Sequence, residues 1–105
     1  MSNTFKKDEF TEKLINLIND FIVEEIDDGF NEKVNLETKL FGGDGMIDSM
    51  SLVALIVQIE ELIDDLYDES LTLASEKAMS RRTSPFSRVQ YLVDYIEELI
   101  LNNEN

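Results

Sequence analysis

Residues 48–67, Asp48-Ser49-Met50-Ser51-Leu52-Val53-Ala54-Leu55-Ile56-Val57-Gln58-Ile59-Glu60-Glu61-Leu62-Ile63-Asp64-Asp65-Leu66-Tyr67, decide the fold. Leu52, Ile56, Ile59, Ile63 and Leu66 recur at alternating steps of four and three, the spacing of one face of an α-helix. Asp48 and Ser49 are both good N-cap residues, because their side-chain oxygens accept the free amides of a first turn. The pattern predicts a helix from about Asp48 or Ser49 to about Tyr67. Met50, Val53, Ala54, Leu55, Val57 and Leu62 fall outside the stripe, so this helix carries more apolar surface than one buried face requires. Glu60, Glu61, Asp64, Asp65 and Asp68 crowd its far end, where carboxylates oppose the helix dipole. Local stability does not account for them.

Upstream, Phe10, Leu14, Leu17, Ile18, Phe21 and Ile22 share a helical period and predict an amphipathic helix from about Asp8 to Ile26. Asp27-Asp28-Gly29 is expected to end it through a left-handed glycine. Residues 30–48 form a long connection in which three of the four glycines, Gly42, Gly43 and Gly45, fall within four positions. A loop of this length is functional or packed down by its own apolar side chains. Downstream, residues 70–84 are irregular, with room for one short helical turn. Pro85 favours a helix start, so the last helix is expected from about Pro85 to Leu101, with Val89, Leu92, Val93, Ile96, Leu99 and Ile100 inward. Residues 1–7 and 102–105 are expected to fray. The chain reads as a single all-α domain over residues 1–105, a small bundle of three long helices and one short.

The 105 residues carry 9 Lys and Arg against 23 Asp and Glu, a net charge of −14. Such a surface repels nucleic-acid phosphates and anionic lipid headgroups, and steers basic proteins toward it. The chain has no Cys and no His. Disulfides, thiolate nucleophiles, Cys-based zinc sites and imidazole bases are thereby excluded, and an independent enzyme is not expected. No apolar run approaches the roughly 20 residues that span a bilayer. Met1-Ser2-Asn3-Thr4-Phe5-Lys6-Lys7-Asp8 lacks a signal-peptide core, so a cytoplasmic monomer is the expectation.

The sharpest local feature is Gly42-Gly43-Asp44-Gly45-Met46-Ile47-Asp48-Ser49-Met50, a glycine-rich approach that delivers one hydroxyl to the mouth of a helix. A phosphate attached there would meet free amides and the positive end of the helix dipole. Read locally, Ser49 is explained as well by a plain cap. A P-loop is excluded because Gly45 is followed by Met46-Ile47 instead of Lys-Ser/Thr. An EF-hand is excluded because Asp44 to Asp48 lacks the alternating acidic ligands.

With these residues in view, the chain resembles the acyl carrier proteins and the related peptidyl and D-alanyl carriers. The resemblance rests on Asp48-Ser49-Met50 at the head of the second helix, on the apolar run Leu52 to Ile63 ending in acids, and on Leu40-Phe41-Gly42 upstream. It extends to Ser87-Arg88-Val89-Gln90-Tyr91-Leu92-Val93-Asp94-Tyr95-Ile96, similar to the family's final helix. The resemblance implies a four-helix carrier modified on Ser49 with 4'-phosphopantetheine from coenzyme A by a phosphopantetheinyl transferase. The arm's thiol would hold an acyl or aminoacyl group as a thioester. An acyl-activating ligase, synthase or acyltransferase with a basic docking patch would be the working partner.

Asp48 belongs to the family motif beside the serine. Asp44, Asp48, Glu60 and Glu61 are expected to contribute to docking, while most remaining acids serve as solvated surface. Met50, Ala54 and Val57 are spaced i, i+4, i+7 and form either core or an apolar docking strip, core being the expectation for Val57. Ser51 and Ala54 stand where fatty-acid-type carriers commonly have acids, so the front face is less acidic than theirs. The basic segment Lys77, Arg81, Arg82 and Arg88 is a second departure, explained by pairing with nearby acids or by a partner-specific contact. Two other readings stand beside the carrier: an unmodified acidic helical adaptor for a basic protein, and a carboxylate metal binder, which lacks recognisable ligand spacing.

Overall fold

The first helix spans Lys7–Phe21 and buries Phe10, Leu14, Ile18 and Phe21, the face its period predicts. Asp8 and Glu9 in the first turn complement the helix dipole. In the computed structural model, which describes residues 5–31, 33–80 and 82–103, this helix continues as a π-helical segment, Ile22–Ile26. The Asp27 amide donates to the Ile22 carbonyl at 2.8 Å, a five-residue step. The Gly29 amide then donates to Asp27 Oδ1 at 3.0 Å, and that of Phe30 to the Asp27 carbonyl at 3.0 Å. The helix is therefore ended by an Asp side-chain turn. Gly29 does not adopt the left-handed conformation expected of it; the glycines with positive φ are Gly42 and Gly43.

The second helix, Ser49–Tyr67, lies where its pattern puts it. It buries Leu52, Leu55, Ile56, Ile59, Ile63 and Tyr67, so Leu55 joins the core although it lies off the main stripe. Asp68 closes it in the left-handed region (φ 55°), its amide on the Asp64 carbonyl at 2.9 Å.

The last helix runs Val89–Asn103, four residues later than Pro85 suggests. The backbone before it is engaged elsewhere. Leu40 and Phe41 donate to the carbonyls of Ser87 (2.8 Å) and Phe86 (3.2 Å), and Ser84 holds a tight turn through its Oγ, which accepts the Phe86 amide at 3.1 Å. Phe86 itself is buried, edge-on to Tyr95 with centroids 6.1 Å apart. The first amides of the last helix find acceptors in the same loop, Val89 on Thr38 (3.1 Å) and Gln90 on Leu36 (2.9 Å). Pro85 thus sits in a turn that a tertiary contact holds out of the helix.

Between the second and last helices, Leu71 and Leu73 are buried, and Glu76–Met79 forms a single helical turn capped by Ser75 Oγ on the Ala78 amide at 3.2 Å. Among the described residues the protein is all-helical, with three long helices. Among the described residues the only extended pairings are isolated bridges, Lys39 with Arg88 and Phe41 with Ile47. The first helix packs against both the second and the last. Lys7 Nζ meets Asp94 at 2.9 Å and Glu97 at 3.4 Å, tying its start to the last helix and raising the lysine pKa, chiefly through the hydrogen bond to Asp94. Phe5, Phe10 and Tyr67 form a ring cluster with centroids 5.5 to 6.1 Å apart. Among the described residues no helix is long and apolar enough to cross a membrane. Of the termini expected to fray, Lys7 opens the first helix and Asn102 is helical, whereas residues 1–4 and 104–105 lie outside the described residues.

Candidate functional site

The approach to the second helix is packed down. Val34, Leu40 and Ile47 are buried, and the Ile47 amide donates to the Leu40 carbonyl at 2.8 Å, closing residues 40–47 into a compact loop. The Gly45 amide donates to the Gly42 carbonyl at 2.8 Å inside it. A Cβ on Gly45 would collide with the Leu40 backbone, and Gly42 (φ 86°) and Gly43 (φ 51°) turn in the left-handed region. The three glycines are needed for this closure. The loop is a compact lead-in, and it places Asp48 and Ser49 at the start of the helix.

The two residues divide the tasks that either could perform. Asp48 is the N-cap, extended at φ −84° and ψ 176°, with Oδ1 accepting the Ser51 amide at 2.8 Å. That bond holds its carboxyl below the usual range. Ser49 is the first helical residue, exposed, and its hydroxyl has no hydrogen-bond partner among the described residues. The plain-cap explanation of Ser49 therefore fails, because Asp48 already fills that role. A carboxylate held at low pKa and engaged with an amide is a poor base for the neighbouring hydroxyl. Ser49 is presented without a proton acceptor of its own.

Below Ser49 the second helix shows solvent an apolar strip. Met50 is 84% exposed, Val53 63% and Val57 49%, with Ala54 exposed between them. Val57 is thus outside the core, contrary to expectation; the buried residues of this helix are Leu52, Leu55, Ile56, Ile59, Ile63 and Tyr67. Val53, part of the excess apolar surface that the sequence shows, completes the strip; its i+3 relation to Met50 puts it there. Glu61 continues the face, exposed, with Asp64 and Asp65 beyond it.

The acids expected to dock are not equivalent. Asp44 is a loop carboxylate, 91% exposed, in a long ion pair with Lys39 Nζ at 3.8 Å. Glu60 is half-buried, and its Oε2 accepts the Leu73 amide at 2.9 Å, so it has a structural task. In the basic segment, Arg82 and Arg88 have no carboxylate within ion-pair distance among the described residues, which removes the pairing explanation for them. Arg81 and the Lys77 side chain lie outside the described residues. No cluster of three or more acids among the described residues is arranged to hold a metal ion. Comparison with family models, curated proteins and solved structures finds no match to this chain.

Proposed function

We propose that this protein is a carrier that receives a 4'-phosphopantetheine group on Ser49 and presents a thioester-bound acyl or aminoacyl group to partner enzymes. The observation that carries the reading is Ser49 itself, an exposed, unpartnered hydroxyl at the head of a helix whose capping is done by Asp48. Ser49 fits the group: a phosphodiester there would lie at the helix N-terminus, at the positive end of the helix dipole. When attached, the group supplies the thiol that a chain without cysteine lacks.

The chain's own residues position and present. Asp48 fixes the first turn, the glycine-closed loop holds the approach, and Met50, Val53, Ala54 and Val57 offer a surface to the partner. Glu61, Asp64 and Asp65 would steer a basic patch onto that surface and release it readily, because exposed ion pairs hold weakly. In this reading the turn Glu76–Met79 stands in the place of the short helix of an acyl-carrier-like four-helix bundle, and the protein acts in the cytoplasm. The expected partners are a phosphopantetheinyl transferase and an acyl-activating ligase, synthase or acyltransferase.

The test is intact-mass measurement after incubating the apo-protein with coenzyme A and a broad-specificity phosphopantetheinyl transferase. Addition of one phosphopantetheine to the wild type and none to Ser49→Ala is expected. No addition, or equal addition to both, overturns the proposal and leaves the exposed strip to an unmodified adaptor for a basic protein.

A further inference from the structure

An open cleft of about 520 Å³ lies between the loop around residues 39–44 and the segment that enters the last helix. Its lining includes Lys39, Arg82 and Arg88 and a single carboxylate, Asp44. That is a third of the nine cations of a chain whose net charge is −14. Lys39 and Arg88 are cross-strand partners in an antiparallel bridge. The flanking hydrogen bonds, Leu40 to Ser87 and Val89 to Thr38, make them a non-hydrogen-bonded pair, the kind in which facing side chains come closest. Like charges opposite one another in such a pair are destabilising. Where local rules are broken without compensation in the fold, a functional cause is the usual reason.

Compensation within the chain is slight. Asp44 reaches Lys39 only at 3.8 Å from an exposed position, Arg88 lies 5.4 Å from the centroid of the Tyr91 ring, and Arg82 has no acid partner among the described residues. Gly42 and Gly43 have nothing within 4 Å of where a Cβ would stand, which keeps that wall of the cleft open. Thr83 and Ser84 add hydroxyls; Ser84 Oγ accepts the Phe86 amide, so its proton remains available to a ligand. We infer that this cleft binds a small soluble phosphate-bearing molecule, with Lys39, Arg82 and Arg88 on its phosphoryl oxygens. Guanidinium forks match phosphoryl oxygens two at a time, and a doubly charged group satisfies several cations where a single carboxylate cannot. The volume suits a ligand up to nucleotide size. The surrounding acids do not abolish binding, because at physiological salt their field is largely screened beyond about 8 Å. Ser49 is not among the residues that line the cleft.

Inorganic pyrophosphate is the probe. Amide NMR of the isotope-labelled full chain is followed during titration at constant ionic strength, with chloride as the control and thermal melts of each variant alongside. Saturable shifts at residues 39–44 and 82–88 are expected with pyrophosphate and not with chloride. Arg82→Gln and Arg88→Gln should each weaken binding by about tenfold or more, the effect of one charged hydrogen-bonding partner, and Ser49→Ala should bind like the wild type. The inference is overturned if pyrophosphate shifts no more than chloride, or if both arginine variants, folded by their melts, bind undiminished. It is equally overturned if a glutamate-rich peptide moves these amides and pyrophosphate does not.

Discussion

Glu60 and Leu73 are joined by a 2.9 Å hydrogen bond from the Leu73 amide to the Glu60 carboxylate, across thirteen residues. The carbonyl of the same Leu73 accepts the Tyr95 phenol at 2.7 Å. One buried leucine in an irregular segment therefore connects the second helix with the last, two helices that each pack chiefly on the first. Its backbone would otherwise be a part-buried polar group with no regular partner, and the side chains on either side satisfy both ends of it.

Removing either anchor should loosen that connection. Glu60→Ala strands the Leu73 amide and should destabilise the protein by about 1–3 kcal/mol, while Tyr95→Phe removes one hydrogen bond and should cost about 1 kcal/mol. For a domain of this size each kcal/mol corresponds to a fall in Tm of roughly 4–8 °C. Urea and thermal melts check both. An unchanged Glu60→Ala would return Glu60 to the solvent-facing acids.

Asp48 gives a pH signature. Its folded-state pKa is depressed, chiefly by the backbone hydrogen bond from Ser51, below the ordinary value of 3.8. Its contribution to stability is therefore fully present above the unfolded-state pKa and lost as pH falls through the folded-state one. The Tm difference between wild type and Asp48→Ala should be constant near neutrality and shrink below about pH 4. Asp48→Asn keeps a capping oxygen without the charge and should lose less at neutral pH. A difference that does not change between pH 7 and pH 2 would refute the charged cap.

Two positions on the second helix separate burial from presentation. Leu55 is fully buried, and Leu55→Ala should destabilise by about 2–5 kcal/mol. Val57, two residues on and half exposed, should change stability by no more than about 0.5 kcal/mol when replaced by alanine. Denaturant melts of the two variants decide this, and a large loss at Val57 would place it back in the core.

The −14 charge should make stability salt-dependent. Added sodium chloride or magnesium chloride screens the repulsion among the acids of the second helix and its neighbours, so Tm should rise with either. A Tm indifferent to salt would show that surface repulsion is a negligible term.

Much of this architecture was legible in the chain. The 3.6-residue period located all three long helices, because each must bury one apolar face, and the Asp48-Ser49 pair located the head of the second. The start of the last helix was not legible. Pro85 is a good first-turn residue in isolation, yet the carbonyls of Phe86 and Ser87 are taken by Leu40 and Phe41, more than forty positions earlier. The division between Asp48 and Ser49 was equally hidden, since both side chains can cap and only the backbone conformation at Asp48 assigns the role.

What the sequence determined by itself is the set of amphipathic segments, the absence of thiol and imidazole, and the one serine delivered by a glycine-rich approach. Tertiary structure decided which apolar residues of the second helix stay outside: packing buries Leu55, off the main stripe, and leaves Met50, Val53, Ala54 and Val57 exposed. It also brought Lys39 opposite Arg88. No local pattern joins residues 49 positions apart; backbone hydrogen bonds between a loop and a helix entry do, and these exist only once the chain has folded.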